Sequence, residues 1–230
     1  ALDFYLKAVN IQISLTKENN LEVAELYFRI GQVYEMNNFL DKALEYYLKA
    51  ESISESLRDN PLKFNQIYNG IAVVYRKKGQ IQKAIKYLQK DIEHSLKNFG
   101  PDYYDLTLTY HNMGDIYLAQ KMYSEALDQY NRSLDIRIKY RDEENIEAAD
   151  TYIKIGSVLT ELGHYDEAIG AYKRALQIRR TKYDEAHAKI NEIYQQIDIL
   201  CKRQGKNRIA YTYYINVLKS AQKTTHPSPV

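Results

Sequence analysis

Small and aromatic residues recur along the chain with a period of 41 or 42 residues. The clearest column is an alanine, found at Ala1, Ala43, Ala84, Ala126, Ala168 and Ala210. A tyrosine stands sixteen residues before five of these alanines, at Tyr27, Tyr68, Tyr110, Tyr152 and Tyr194. Four residues after each tyrosine comes a mostly small residue, at Gly31, Ala72, Gly114, Gly156 and, as the exception, Asp198. A fixed period of this length indicates a repeat protein whose units pack against their neighbours.

Each period is predicted to contain two amphipathic helices. In the first helix the large apolar residues fall at spacings of three, four and seven, which places them on one stripe. The pattern stops seven residues after the small residue, at Asn38, Gly79, Lys121, Gly163 and Gly205. Glycine and asparagine are favoured there because a helix often ends on a left-handed residue. The spacing predicts eleven helices, over 1–17, 21–37, 40–57, 61–78, 81–98, 102–120, 123–140, 144–162, 165–181, 184–204 and 207–222.

Repeated helix pairs predict an all-α fold, a right-handed α-solenoid of antiparallel helix pairs with about five and a half repeats. Residues 1–222 are expected to form this solenoid. A half repeat over 1–20 precedes repeats over about 21–60, 61–101, 102–143, 144–183 and 184–222. Residues 223–230 are predicted to be a C-terminal linker or tail, since Pro and Ser break the helical pattern. The alanine column is expected to be almost fully buried.

The columns resemble those of the tetratricopeptide repeat. The residues that carry the resemblance in two of the repeats are Tyr27, Gly31, Tyr34, Ala43, Tyr47 and Ala50, and Tyr152, Gly156, Leu159, Ala168, Tyr172 and Ala175. The usual period is about 34 residues, and the longer one resembles the repeats of kinesin light chains. The similarity is strongest from Phe99 to Leu127, although Tyr103 and Tyr104 stand where that family has His-Pro.

The resemblance implies that the first helices of the pairs line a concave groove that binds a partner peptide or helix. The residues expected to contact the partner are Arg29, Gln32, Asn69, Val73, Arg76, His111, Asn112, Asp115 and Lys154. Four of them are expected to project into one concavity: Asn69, Arg76, Asn112 and Asp115. Asparagine suits an extended peptide because its amide both donates and accepts hydrogen bonds. The alternative is a solvated helix face without a ligand.

The sequence contains no arrangement that predicts catalysis, so we expect neither an enzyme nor a cofactor or small-molecule substrate. His111 and Asp115 share a helix face, but a metal site needs three or four ligands. A net charge of only +2 argues against a nucleic-acid partner. The cations near the C-terminus, Arg179 among them, alternate with acidic residues and are interpreted as a solvated face. Cys201 occupies a core column and is predicted to be a buried thiol.

The remaining sequence features bear on location and role. A single cysteine and the absence of any apolar run near 18 residues predict a cytoplasmic, intracellular protein without a membrane span. The leading hypothesis is a protein–protein interaction scaffold or adaptor. The alternatives are a sensory or regulatory repeat module of a larger signalling protein, and a structural component of a cytoskeletal assembly. Because the first residues already fit an amphipathic helix, further domains of a longer chain are expected.

Overall fold

The computed structural model describes residues 2–15, 20–57, 64–140, 142, 144–183, 187–206 and 215. Within these ranges the chain forms ten α-helices and no β-strand, which confirms the predicted all-α fold. The helices are α1 Leu2–Leu15, α2 Leu21–Met36, α3 Leu40–Ser56, α4 Phe64–Lys77, α5 Ile81–Phe99, α6 Leu106–Ala119, α7 Tyr123–Lys139, α8 Ile146–Glu161, α9 Tyr165–Arg180 and α10 Ala188–Arg203. The predicted eleventh helix and the tail lie outside the described residues, apart from Ile215.

The helices divide into two compact units, Ala1–Ile116 (unit 1) and Tyr117–Val230 (unit 2). In unit 1 the helices from α1 to α5 pack in chain order, and α2 also contacts α4. In unit 2 the helices from α7 to α10 pack in chain order. The contact between α2 and α4 shows that first helices of successive pairs lie side by side. The repeat boundaries within residues 1–222 stay predictions. None of the described helices is long and apolar enough to cross a bilayer.

Left-handed residues end the first helices where the sequence predicts them. The backbone φ is 61° at Asn38, 72° at Gly79, 60° at Lys121, 80° at Gly163 and 70° at Gly205. The next backbone N–H then donates to a carbonyl five residues earlier, as from Phe39 to Tyr34 at 2.9 Å. This Schellman arrangement satisfies carbonyls that the helix leaves unpaired. Because it is compact, α3, α5, α7 and α9 each begin two residues after the left-handed residue.

Glycines of the first helices allow a tyrosine ring to reach the backbone. A Cβ atom on Gly31 of α2 would lie 2.6 Å from the Tyr47 ring, and one on Gly70 of α4 would lie 2.9 Å from it. The ring of Tyr47 in α3 is therefore seated against two successive first helices. In unit 2, a Cβ on Gly156 would lie 2.9 Å from the Tyr172 ring. The predicted burial of the alanine column is confirmed, since Ala43, Ala84, Ala126 and Ala168 are all 0% exposed.

The helix predicted over 102–120 begins later than expected, at Leu106. Gly100 has a φ of 87°, and the segment after it forms successive turns, with Leu106 N–H donating to Tyr103 at 3.1 Å. The Tyr103 ring stacks on Phe99 at 4.2 Å between centroids. This contact holds the turns against the end of α5, so the helical periodicity of the sequence overestimates the length of α6.

Candidate functional site

The predicted partner-binding residues lie on α2, α4, α6 and α8, with only Lys154 in unit 2. All of them except Asn69 are at least partly exposed. Arg29 donates to Glu25 at 2.8 Å and to Gln32 at 3.1 Å, so these three side chains form one polar patch on α2. Their exposure is compatible with contact to a partner, but the contact itself stays a prediction.

Asn69 is buried, at 4% exposure, and the expectation that it projects into an open concavity is wrong. Its Nδ2 donates to the Asn65 carbonyl at 2.9 Å and to Asp91 Oδ2 at 2.8 Å. It also lies 2.9 Å from Thr109 Oγ1, while its Oδ1 accepts from Asn112 at 2.8 Å. The reason for the difference is Asp91 on α5, whose carboxylate draws the amide inward.

Asp91 is the centre of a buried polar cluster that joins α4, α5 and α6. Its carboxylate is 0% exposed and accepts from Asn69, from the Thr109 hydroxyl and, at 3.4 Å, from Ser95. Burial raises the pKa of Asp91 from 3.8 to about 6, although these hydrogen bonds act in the opposite direction. No cation among the described residues pairs with it. The carboxylate is therefore held by neutral donors alone.

The sequence contained a signal for this cluster that our prediction did not use. A carboxylate there is not required by the repeat, since the residues that match Asp91 are Ala8, Ala50, Ser133, Ala175 and Val217. A buried acid that the fold does not require is a reason to look for a specific role.

A second link between helices of unit 1 runs through Glu35. Its carboxylate accepts from the Tyr47 hydroxyl at 2.9 Å and from Lys77 Nζ at 2.9 Å. Burial, together with the Glu35 charge, raises the pKa of Tyr47. Because these residues belong to α2, α3 and α4, the Glu35 carboxylate ties together two first helices and the helix between them.

Unit 2 contains an open cleft of about 360 Å³ between α8, α9 and α10. Its walls are formed by Ile153, Ser157, Tyr172, Arg179, Glu192, Ile193 and Gln196. The lining is mixed: two isoleucines and an aromatic ring offer apolar surface, whereas the serine and the glutamine offer hydrogen bonds. The close contact of Gly156 with Tyr172 fixes the ring at the side of the cleft.

Unit 1 has a crevice at the matching place of the repeat, but it is nearly closed. The crevice is lined by Ala24, Glu25, Phe28, Ser54, Gln66 and Ile67. By the repeat spacing, Phe28 matches Ile153 of the unit 2 cleft, and Ser54 matches Arg179. The Phe28 ring lies 5.5 Å from that of Tyr47 and occupies space that the smaller Ile153 leaves free. The same repeat position thus gives a filled crevice in one unit and an open cleft in the other.

Arg179 is an exception to the predicted solvated face of C-terminal cations, because it is only 6% exposed. The other described cations of that group are at least partly exposed. Its Nη1 donates to the Lys189 carbonyl at 2.8 Å and its Nη2 to Asp150 at 2.6 Å. Arg137, 42 residues earlier, is also 6% exposed and lies 3.3 Å from Asp142. In both places the guanidinium joins the end of a second helix to residues at or just before the next first helix.

Metal binding and thiol chemistry are two further possibilities in the described residues. They contain no group of three His, Cys, Asp or Glu side chains placed to hold a metal. Cys201 is 1% exposed, which confirms the predicted buried thiol, and burial raises its pKa. A protonated, buried thiol is a poor nucleophile.

Comparison with known proteins places these features in a family. A tetratricopeptide repeat model matches residues 64–139 and 130–181, which is more than half of the chain, and a second one matches residues 24–57. None of the curated proteins is a significant sequence relative.

Solved structures give a consistent picture of the fold. The chain is similar to BtubC (BKLC) from P. vanneervenii, at 17% identity over 100% of this chain and 92% of that one, with a TM-score of 0.84. It is also similar to a putative kinesin light chain from Podosopora anserina with TPR-like repeats, at 15% identity over 91% and 99%, with a TM-score of 0.74. The apo form of RapI matches at 19% identity over 88% and 71%, with a TM-score of 0.73. At these identities the likeness concerns the fold alone.

Proposed function

We propose that this chain, which belongs to the tetratricopeptide repeat family, is a scaffold that binds a partner peptide along the side formed by its first helices. Tetratricopeptide repeats generally mediate protein–protein interaction and are generally not enzymes. The observation that carries the proposal is the open cleft of about 360 Å³ in unit 2.

The chemistry of the cleft suits one side chain of an extended peptide. Ile153, Ile193 and the Tyr172 ring supply apolar surface for an anchor residue. Ser157 and Gln196 supply hydrogen bonds to the peptide beside that anchor. Binding of this kind, with one buried anchor and polar contacts around it, is common for peptide recognition.

The cleft is open in the structure without a partner. The missing side chain of Gly156 leaves room for the Tyr172 ring, and the buried Arg179 ties α9 to Lys189 and Asp150. A preformed cleft spares the protein the entropy of ordering side chains when the partner binds.

Each unit also has exposed or partly exposed residues on its first helices. We propose that Arg29, Gln32, Val73, Arg76, His111, Asn112, Asp115 and Lys154 contact the partner, and that Asn69 acts from inside by holding Asn112. The 41- or 42-residue period supports a long-repeat, kinesin light chain-like subtype. We propose a cytoplasmic location because the single cysteine suits a reducing compartment; microscopy of the tagged protein tests this.

The experiment is a selection from a random peptide library followed by affinity measurement. A tryptophan in place of Ser157 fills the cleft, and we expect Ser157→Trp to weaken a selected peptide by about tenfold or more. Ser124→Trp is the matched control, since Ser124 is exposed at the start of α7 and lies outside the cleft lining. Both variants must keep the helical circular dichroism of the parent. The proposal is overturned if no peptide is selected, or if both variants bind as the parent does.

A further inference from the structure

A chain of hydrogen bonds leads from the partly exposed Asn112 through Asn69 to the buried Asp91, and every donor in it points towards the carboxylate. A carboxylate only accepts hydrogen bonds, so the neighbouring Asn69 presents its Nδ2 to Asp91, at 2.8 Å. Asn69 then has its Oδ1 on the other side, where it accepts from Nδ2 of Asn112 at 2.8 Å. Asn112 is partly exposed, and no described residue donates to its Oδ1.

The other members of the cluster agree with this direction. The Asn65 carbonyl is a second acceptor for Asn69 Nδ2, at 2.9 Å. Thr109 donates its hydroxyl hydrogen to Asp91, and its oxygen lies 2.9 Å from Asn69 Nδ2, whose two hydrogens are shared among the Asn65 carbonyl, Asp91 and Thr109. Ser95 likewise donates to Asp91 and accepts from Asn65 Nδ2, at 2.6 Å. Each neutral side chain thus points its donor towards the carboxylate and its acceptor away from it.

We propose that Asp91 is a positioning residue that fixes the hydrogen-bond direction (the polarity) of the binding surface at Asn112. The Asn112 carbonyl oxygen then faces the partner, and a bound peptide must present an N–H donor to it. This inference rests on the proposed function, because it names the chemistry that the same surface selects. A peptide backbone supplies such a donor at every residue except proline. The surface therefore rejects proline, or an ester bond, at the position that meets Asn112.

The requirement is local, which makes it distinguishable from general peptide binding. The residues that match Asn69 in the other repeats are Phe28, His111, Ile153 and Gln195. None of these repeats has an acidic residue at the place of Asp91, where the sequence has Ala8, Ala50, Ser133, Ala175 and Val217. The relay from a buried carboxylate to an exposed amide therefore operates at one point of the surface.

The state of Asp91 also sets the conditions under which the polarity holds. When Asp91 is protonated it gains a donor, and Asn69 is then free to turn its oxygen towards it. The charged group that acts on Asp91 is the Asp105 carboxylate, which raises the Asp91 pKa further. The Asp91 charge in turn adds to the effect of burial, which raises the pKa of Tyr68 above its ordinary value. On α5 itself, burial and Lys97 lower the pKa of His94 and so favour its neutral form. The polarity is thus fixed at neutral pH and relaxed in mild acid.

The first test uses the free protein and needs no ligand. In isotope-labelled protein, nuclear magnetic resonance detects the scalar coupling from Asn112 Nδ2 to Asn69 Cγ across their hydrogen bond. We expect the coupling near pH 7.5, its weakening near pH 5, and its loss in Asp91→Asn near pH 7.5. Asp135→Asn, on the exposed side of α7, is the matched control and should change nothing. A coupling that persists in Asp91→Asn and at both pH values overturns the relay.

The second test uses a selected peptide whose affinity falls in Asn112→Ala, with each backbone N–H replaced in turn by an ester oxygen. If no selected peptide depends on Asn112, the inference fails. One replacement should weaken binding to the parent by about tenfold. That penalty should disappear in Asp91→Asn and in Asn112→Ala, while penalties at other peptide positions remain. If the variants leave every ester penalty unchanged, the inference fails although the proposed function stands. If no peptide is selected at all, the proposed function fails. The scalar coupling between Asn112 and Asn69 still tests the relay, because that measurement needs no peptide. Asp91→Ala is the second variant if Asp91→Asn does not fold, because Ala50 and Ala175 show that the matching position accepts alanine.

Discussion

The cost of burying the Asp91 carboxylate predicts an unusual dependence of stability on pH. The pKa of the Asp91 carboxyl is about 6 in the folded protein, whereas its ordinary value, taken for the unfolded chain, is 3.8. Each pKa unit corresponds to about 1.4 kcal/mol, so the ionised form destabilises the fold by about 3 kcal/mol relative to the neutral form. Because the folded state binds the proton more tightly, this group makes the protein more stable in mild acid than at neutral pH.

The sign follows from the two pKa values. Below about pH 4 the carboxyl is protonated in both states and no penalty arises. Between about pH 4 and pH 6 only the folded state keeps the proton, so the free energy of unfolding falls as the pH rises. Above about pH 6 the full penalty of about 3 kcal/mol is present. Asp91→Asn removes the titration, and its free energy of unfolding should exceed that of the parent increasingly as the pH rises.

The assay is urea unfolding followed by circular dichroism, at several pH values from about 4.5 to 7.5. The difference between Asp91→Asn and the parent should grow by about 1–3 kcal/mol across this range, because the titrations of all other groups cancel. Asp135→Asn supplies the baseline of an exposed carboxylate, whose difference should stay nearly flat. A flat difference for Asp91→Asn as well would refute the view that the buried carboxylate is held at a cost.

Three further predictions concern packing. Gly31→Ala should destabilise the fold by about 1–3 kcal/mol in thermal unfolding, because the new Cβ overlaps the Tyr47 ring. Gly170→Ala, with open space around it in α9, should instead stabilise by up to about 1 kcal/mol, and equal effects of the two changes would contradict the steric argument. Ala126→Leu should cost about 1–3 kcal/mol, since Ala126 is 0% exposed, and an unchanged melting temperature would speak against a tightly packed column. Backbone amides of α1 should exchange with solvent faster than those of α7, because Phe4 of α1 is 80% exposed in the described structure. Equal protection of the two helices would mean that another part of the protein or a partner covers α1.

The features that the sequence predicted correctly depend on spacing within one helix pair. Asn38 and Gly79 end their helices as expected because the left-handed conformation is a property of a few consecutive residues. Ala43 is buried as expected because its column is fixed by the helical period. Local geometry of this kind can be predicted from the repeating sequence pattern alone.

The features that the sequence did not predict depend on contacts between elements. Asn69 has its partners Asp91 and Thr109 on two other helices, 22 and 40 residues away along the chain. A pattern analysis of α4 alone places Asn69 on the exposed side. Arg179 is similar, since its burial depends on Asp150 of α8 and on the backbone at Lys189. The later start of α6 follows from Tyr103 stacking on Phe99, which periodicity does not report.

The position of Tyr47 against both Gly31 and Gly70 has a consequence for how such a chain can be recombined. An exchange of modules between α3 and α4 would pair this ring with whatever residue the incoming helix carries at the place of Gly70. In the matching place other repeats of this chain have Arg29, Asn112 and Lys154, all larger than glycine. A chimera therefore keeps its packing only if the crossover falls inside α4, after Gly70, so that the ring and both of its glycines are inherited together.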